Sequence, residues 1–379
     1  MKNYHKSTIL QVLPSLIAGG VERGTVDISQ ALTENNFNSI VSSRGGPLSK
    51  LITAHHARHI ELPVDSKNPF QMCSNIYSLA KIIREYKVDI IHARSRAPAW
   101  SSYFASRMTK ARFITTFHGT YNFSNNLKKY YNSIMTRGER VIAVSDFIRK
   151  HIIENYQVNE DRIRLIHRGV DTNNFDPAKT SGTAVAAIKS KYNIIDGVPV
   201  LLLPGRFSQW KGQMFLLEAL NEIKEQEFYC LIVGDQSRHP EFVKKLYAKI
   251  TECGLNGKVI ISGPEYDMKS LYAAADIIIS ASIEPEAFGR IAIEAQAMEK
   301  LIIATRCGGS CETVVDEVTG FHVKPNDISD FAEKIKFALS ILGSQKHLSI
   351  VQAARRSVIE HFSLENMKQK TLEVYKELI

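Results

Sequence analysis

The stretch Glu286–Gly320, EAFGRIAIEAQAMEKLIIATRCGGSCETVVDEVTG, decides how the rest of the chain is read. An apolar strand runs into it through Ser282, Ile283, Glu284 and Pro285. After Phe288-Gly289 the apolar residues Ile291, Ala295 and Met298 recur at helical spacing. Glu286 is therefore expected on a loop and Glu294 in the first turns of a helix. A helix N-terminus offers unpaired N–H groups and partial positive charge, which favour an anion, and carboxylates beside it accept hydrogen bonds from hydroxyls. Phosphate beside a polyhydroxyl is the chemistry of a nucleotide-sugar. Two glutamates at this spacing also suit a solvated helix face. What separates the two readings is their ordered company: Glu-x-Phe-Gly, the second Glu, Gly308-Gly309, Glu312 and Thr319-Gly320.

Upstream, a strand expected at Val198–Leu203 leads into Pro204-Gly205-Arg206 and then Lys211-Gly212. Two cations and free N–H groups before a helix suit a diphosphate, against the alternative of a solvated basic turn. Strands expected at Tyr229–Val233 and Val259–Ser262 end at Gly234-Asp235 and Gly263-Pro264, where base recognition is expected. Strand Asp276–Ser280 feeds the deciding stretch.

The first half alternates strands and helices, the pattern of a parallel sheet covered on both faces. Strand Ile9–Leu13 meets Ala18-Gly19-Gly20 and a helix from Val21. Gly19, Gly20 and Gly24 do not make Gly-x-Gly-x-x-Gly, so a dinucleotide fingerprint is absent. Strand Asp89–His92 empties into a loop with His92, Arg94 and Arg96, at the end of a strand where open α/β sheets bind ligands. Arg94 and Arg96, with His92 beside them, are contacts for an anionic acceptor, or the two arginines are a solvated pair. Strand Phe113–Phe117 ends in His118-Gly119-Thr120, which makes His118 a further active-site candidate, against the alternative of a structural histidine. Asn125–Arg137 places Leu127, Tyr130, Tyr131, Ile134 and Met135 at helical spacing beside Lys128, Lys129 and Arg137; it is a packing stripe or a helix lying on an anionic membrane. Lys179–Gly197 is small and polar and ends in Asp-Gly, so the linker is placed within it.

The ordered set from Glu286 to Gly320, with Gly205-Arg206 and Lys211-Gly212, resembles the signature of the retaining GT-B-fold glycosyltransferases of family 4, strongly from about Ile166 to Pro325 and more weakly before. The resemblance implies an α/β protein of two Rossmann-like domains facing across a cleft: residues 1–178 binding acceptor, residues 198–362 binding the nucleotide-sugar, and a helix in residues 363–379 returning to the first domain. By the same resemblance Glu294 binds the ribose hydroxyls and Glu286 the donor sugar. The backbone at Phe288, Gly289 and Arg290 approaches sugar and phosphates, Gly19, Gly20 and Glu22 lie near the cleft, and His118 lies near the donor sugar. Gly205 and Gly234 complete the donor-binding set. The chain departs from the family pattern at Arg168, where Asn is commoner, and at Glu299 and Leu301, where Gly and Pro are usual.

Composition bounds the rest. At 379 residues, 44% hydrophobic, the chain is long enough for two ordinary domains. No apolar run approaches the roughly 20 residues that span a bilayer. Lys2 and Lys6 before ILQVLPSLIAGG imitate a leader, but Gln11 and Pro14 interrupt the apolar run, so the stretch is expected to be the first strand of a cytoplasmic protein. Five cysteines without zinc-type spacing, and no Asp-x-Asp, imply that protein cations rather than a metal neutralise the phosphates. No cofactor is expected, since the nucleotide-sugar is a substrate. The net charge of +9 is uneven: residues 1–180 hold 25 Lys+Arg against 14 Asp+Glu, and residues 181–379 hold 23 against 25.

The expected function is transfer of a sugar from a UDP-, GDP- or ADP-sugar to a glycan or lipid-linked acceptor, such as lipopolysaccharide core, with retention of anomeric configuration. Arg206, Lys211, Glu286 and His118 are the expected catalytic group, and peripheral contact with an anionic membrane is expected of the first half. A noncatalytic nucleotide-sugar-binding protein stays open as an alternative. A Rossmann-type oxidoreductase shares the α/β pattern but not the glycine fingerprint. Basic charge without a recognised motif does not indicate nucleic acid.

Overall fold

The computed structural model describes residues 6–17, 19–237 and 239–379. Lys2 and Ala18, which enter the reading of the chain's start, lie outside the described residues. The chain forms two compact units, Met1–His167 with Glu365–Ile379, and Arg168–Leu364. Each is a parallel sheet with helices in its crossovers.

In the first unit the strands are β1 Thr8–Val12, β2 Asn38–Ser43, β3 Arg58–Glu61, β4 Val88–Ala93, β5 Arg112–Phe117, β6 Arg140–Ala143 and β7 Ile163–Leu165. They pair in the order β3-β2-β1-β4-β5-β6-β7. In the second unit β8 Val200–Pro204, β9 Tyr229–Val233, β10 Val259–Ser262, β11 Ile277–Ser280, β12 Leu301–Thr305 and β13 Phe321–Val323 pair in the order β10-β9-β8-β11-β12-β13. All these pairings are parallel, with Ile277 opposite Leu301 and Leu10 opposite Ile91. Runs such as LLLP and IIIS are apolar at successive positions because both faces of each strand are covered. Leu201, Leu203, Ile277, Ile279 and Ile303 enter one core, and the alternate residues Val200, Leu202, Ile278 and Ile302 enter the other.

Chain order reverses between β1 and β4 in one unit and between β8 and β11 in the other. At such a reversal the loops leave in opposite directions, and a crevice opens at the carboxyl ends of the strands. That crevice positions the candidate site.

Two expectations about the chain's course need revision. Residues 179–197 are not an open linker: Gly182–Lys191 is a helix capped by the Ser181 side chain, and Ile188, Tyr192 and Ile194 pack into a core of the second unit. The boundary between units lies between His167 and Arg168. The expected continuous helix Asn125–Arg137 is a helix only over Asn126–Ser133, followed by a 3-10 turn Ile134–Thr136. Ile134 and Met135 are buried, whereas Leu127 and Tyr130 face solvent.

The helix Leu364–Lys376 packs Leu372 and Tyr375 onto Ile9, Ile90 and Ile114 of the first unit. Beyond it, Glu377 accepts from Arg164 Nε and Nη2 and from Arg140 Nε at 2.7 to 3.1 Å. The Arg164 hydrogen bonds, and then Arg140, hold the Glu377 carboxyl down at about 2 against the opposing cost of burial. A folded-state pKa below the unfolded one gives stability that is present above the ordinary carboxylate range and lost as pH falls toward about 2. The carboxylate is 33% exposed, so the contribution is discounted for solvent screening. Glu377→Gln is expected to cost about 1 kcal/mol in urea unfolding at neutral pH, and the cost to shrink as pH drops. A variant as stable as the parent at neutral pH would refute this account.

The helix Arg290–Ala297 ends with Glu299 at φ +52°, while Glu299 N donates to Gln296 O at 3.1 Å and Lys300 N to Ala295 O at 3.0 Å. This is a Schellman end, in which glycine usually takes the left-handed position. Relief of backbone strain in Glu299→Gly is offset by greater unfolded-chain freedom and by loss of an ion pair with Arg355 at 3.6 Å. A net gain of about 0.5 kcal/mol is expected. A clear drop in unfolding midpoint would show that the ion pair outweighs the strain.

Candidate active site

β8 and β11 lie side by side at the reversal of the second sheet, so the loops that leave them meet. The loop after β8 runs through Gly205 and Arg206, buries Phe207, and closes with a 3-10 turn Gln209–Lys211 before the helix Gln213–Glu222. Gln213 Nε2 donates to the Arg206 carbonyl at 2.8 Å and fixes the loop's bend. The two loops are stitched together by Ile283 N donating to Trp210 O at 2.8 Å.

That stitch brings Lys211 Nζ to 2.6 Å from Glu286 Oε1, with each side chain 12% exposed. Ser282 Oγ donates to the same Glu286 oxygen. Both contacts fall on Oε1. Trp210 lies between the cations, its ring 4.4 Å from Lys211 Nζ and 5.8 Å from the Arg206 guanidinium. The cluster thus combines two cations, a carboxylate and an aromatic face at the carboxyl ends of adjacent strands.

Beyond it Gly289, at φ +89°, precedes the first turn of Arg290–Ala297, whose leading N–H groups have no partner within the helix. Phe288 is 3% exposed and packs with Val170, Ile293 and Phe362, so only its backbone is available to a ligand. Glu294 Oε1 accepts from Arg290 Nη2 at 2.7 Å, and Oε2 accepts from the Tyr272 hydroxyl at 3.0 Å. Burial, and next the charge of Glu294, raise the Tyr272 phenol well above its ordinary value, so it stays protonated and donates. Each carboxylate oxygen accepts about two hydrogen bonds, so Glu294 retains capacity for a pair of hydroxyls.

Glycines set how closely these loops approach. A Cβ on Gly234 would stand 1.9 Å from Gly205 O, and one on Gly308 2.5 Å from Glu286 O. The second contact is reinforced by Gly309 N donating to Glu286 O at 2.8 Å, so the Gly308-Gly309 pair anchors the loop that carries Glu286.

The first unit holds the other expected residues. Gly19 and Gly20 form the β1-to-helix turn, with Glu22 folded over it so that a Cβ on Gly19 would stand 2.5 Å from Glu22 Oε2. His118 follows β5, half-buried, its backbone N–H donating to the Tyr121 hydroxyl at 3.3 Å. The expected acceptor contacts of His92 and Arg94 are corrected, while Arg96 is half-buried. His92 is fully buried, with Nδ1 2.8 Å from the Tyr375 hydroxyl and Nε2 2.7 Å from Thr116 Oγ1. Burial, and next Arg94, lower its pKa well below the ordinary value, so it is a neutral strut under the last helix. Arg94 is buried and donates to Gln11 Oε1 at 3.0 Å. Arg96 donates to Asn132 Oδ1 at 2.9 Å and stacks on Tyr121 at 4.5 Å. His92 and Arg94 therefore serve the unit's own framework, an outcome that neither an acceptor contact nor a solvated pair anticipated.

Tyr272 and Gln213 escaped the sequence reading because nothing in their neighbourhood marks them, and Ser282 entered it only as a residue at a strand's end. Trp210 was detectable only as an aromatic between two cations. Among the described residues no group of three His, Cys, Asp or Glu is arranged to hold a metal ion, and no helix is long and apolar enough to cross a membrane.

Residues 18–174 match the model of Glycosyltransferase Family 4, and residues 185–357 that of Glycosyl transferases group 1. The crystal structure of a glycosyltransferase from Rickettsia africae is 49% identical with a TM-score of 0.93, covering 99% of each chain. Anabaena HepE, solved with UDP and glucose, is 23% identical with a TM-score of 0.84, covering 98% of this chain and 100% of that one. A lipopolysaccharide 1,2-N-acetylglucosaminetransferase of Salmonella typhimurium is 30% identical over 198 residues, half of this chain and 51% of that protein.

The close approach at Gly234 yields a paired test. Gly234→Ala is expected to cost about 2 kcal/mol or more, because backbone must move. Gly263→Ala, at the equivalent end of the next strand with nothing within 4 Å of a Cβ, should change stability by less than about 0.5 kcal/mol. Equal effects in denaturant unfolding would exclude the steric explanation.

Proposed function

Because the chain belongs to the GT-B glycosyltransferases of family 4, we propose that it transfers a hexosyl group from a UDP-sugar to a cell-envelope glycan or lipid-linked acceptor on the cytoplasmic side of a membrane, with retention of anomeric configuration. One arrangement carries this function: Lys211 and Glu286 in contact at the strand-order reversal, with Arg206 and the start of the Arg290–Ala297 helix beside them. The UDP and glucose of HepE support the donor, and the Salmonella relative supports an envelope glycan such as lipopolysaccharide core as acceptor.

Transfer places the acceptor hydroxyl oxygen on the anomeric carbon. The bond from that carbon to the diphosphate oxygen breaks with its electron pair going to the phosphate, and the hydroxyl proton passes to a leaving-phosphate oxygen. Negative charge grows on the diphosphate, so stabilisation belongs there: Arg206 and Lys211 as cations, the helix start as an oriented dipole. Lys211 carries three N–H donors and gives one to Glu286, which leaves donors for phosphate. Glu286, tied to Lys211 and Ser282, orients a sugar hydroxyl through Oε2 rather than serving as a base. Glu294 takes the ribose hydroxyls, and the backbone of Gly205, Gly234, Phe288, Gly289 and Arg290 lines the donor. No divalent metal is assigned a role, so chelator should leave turnover unchanged.

Lys211→Ala is expected to reduce nucleotide release from the donor by about 10²-fold, the scale of removing one transition-state charge stabiliser. UDP-sugars, rather than GDP- or ADP-sugars, should raise the unfolding midpoint of the parent protein. A folded Lys211→Ala variant with full turnover would overturn the assignment of the cation. Donor-dependent stabilisation without any turnover across acceptors would favour a noncatalytic binding protein.

A further inference from the structure

The charge excess of the first unit is concentrated in one segment. Lys67–Gly138 contains twelve Lys+Arg and two Asp+Glu, Glu85 and Asp89, against an excess of eleven for the whole of residues 1–180. This segment supplies three neighbouring helices, Pro69–Glu85, Arg96–Arg107 and Asn126–Ser133. Ser101 Oγ donates to Met72 O at 3.1 Å, joining the first two, and Trp100 Nε1 donates to Tyr131 O at 3.1 Å, joining the second and third.

The same helices carry the unit's exposed apolar surface. Of the eight exposed large apolar side chains among its described residues, six belong to this segment: Phe70, Tyr77, Phe104, Met108, Leu127 and Tyr130. Cations are set among them. The Arg137 guanidinium lies 5.3 Å from the Trp100 ring, 5.5 Å from Tyr103 and 5.6 Å from Tyr130, and Lys129 Nζ lies 5.3 Å from Phe123. At the far end of Arg96–Arg107 a concavity is lined by Arg84, Lys87, Arg107, Lys110 and Arg112; Arg112 is paired with Glu139 at 2.6 Å. The acid in that lining, Asp89, accepts from the backbone N–H of Thr8.

We propose that this three-helix face docks on the anionic surface of a lipid bilayer. A soluble polyanion would be served by the cations and would leave six large apolar groups in water. A bilayer interface accepts both: rings and long side chains enter the headgroup layer, while lysines and arginines meet lipid phosphates. Docking extends the glycosyltransferase function, since a lipid-linked acceptor is presented at such a surface, and it is measured without any nucleotide-sugar, so the two fail separately.

The test is cosedimentation of the full chain with phosphatidylcholine vesicles, with and without phosphatidylglycerol, at low and high salt. Binding is expected only with phosphatidylglycerol and should weaken with salt, because the attraction decays over a Debye length of about 10 Å at 0.1 M. Arg107→Glu with Lys128→Glu should weaken binding about 25-fold or more, about fivefold for each cation lost. Phe104→Ser with Tyr130→Ser, which keeps all charges, should weaken it about tenfold. Lys244→Glu with Lys245→Glu, on an exposed helix of the second unit, should change nothing. Each variant's unfolding midpoint establishes that it is folded. Absence of binding at low salt, or equal loss in the second-unit control, overturns the proposal. Equally tight binding of a single-stranded oligonucleotide, with the aromatic variant unimpaired on vesicles, overturns it in favour of a general polyanion surface.

Discussion

A parallel strand buried on both faces has no side on which to display a polar group, so its chemistry is confined to its ends. β8 and β11 meet this constraint in full, since alternate residues of each enter opposite cores. The reversal of strand order between them supplies the crevice in which their loops diverge. Arg206, Lys211 and Glu286 stand there because the fold leaves few other places where charges can gather and reach a ligand. Strand ends of the first unit follow the same rule, with Gly19 and Gly20 after β1 and His118 after β5.

The contact between Lys211 and Glu286 is an expensive way to hold a loop. Both side chains are largely withdrawn from water, and desolvation offsets much of their mutual attraction. Ser282 adds a hydrogen bond, and the aromatic face of Trp210 lies beside both cations. Such a group gains little for stability but keeps charge ordered and partly dry, the condition under which electrostatic stabilisation of a developing phosphate charge is strongest. Glu294 is prepared in the same manner, its two oxygens oriented by Arg290 and by a phenol that burial keeps protonated.

In the first unit, burial assigns similar residue types to different work. His92 ends a strand beside the reversal, yet the last helix covers it with Tyr375 and Thr116 takes its other nitrogen. Arg94 and Arg96 satisfy Gln11 and Asn132. The cations available at the surface instead lie on the helices of the same segment, among exposed rings.

The sequence alone determined the alternating α/β organisation, the strand-end loops that carry Lys211, Glu286 and His118, the helical place of Glu294, and Glu299 as the position past that helix where glycine is usual. Each of these is written in short range: apolar periodicity, a glycine beside a strand end, or the spacing from a helix's last turn. Only the tertiary structure decided that His92 is a strut, since its partner Tyr375 lies 283 positions away. It also decided that residues 182–191 belong to a packed helix and that Tyr272 donates to Glu294 from 22 positions upstream. Polarity and spacing tell where a side chain can stand, but whether it meets solvent, a ligand or a buried partner depends on what packs over it, and distant segments of the chain supply that cover.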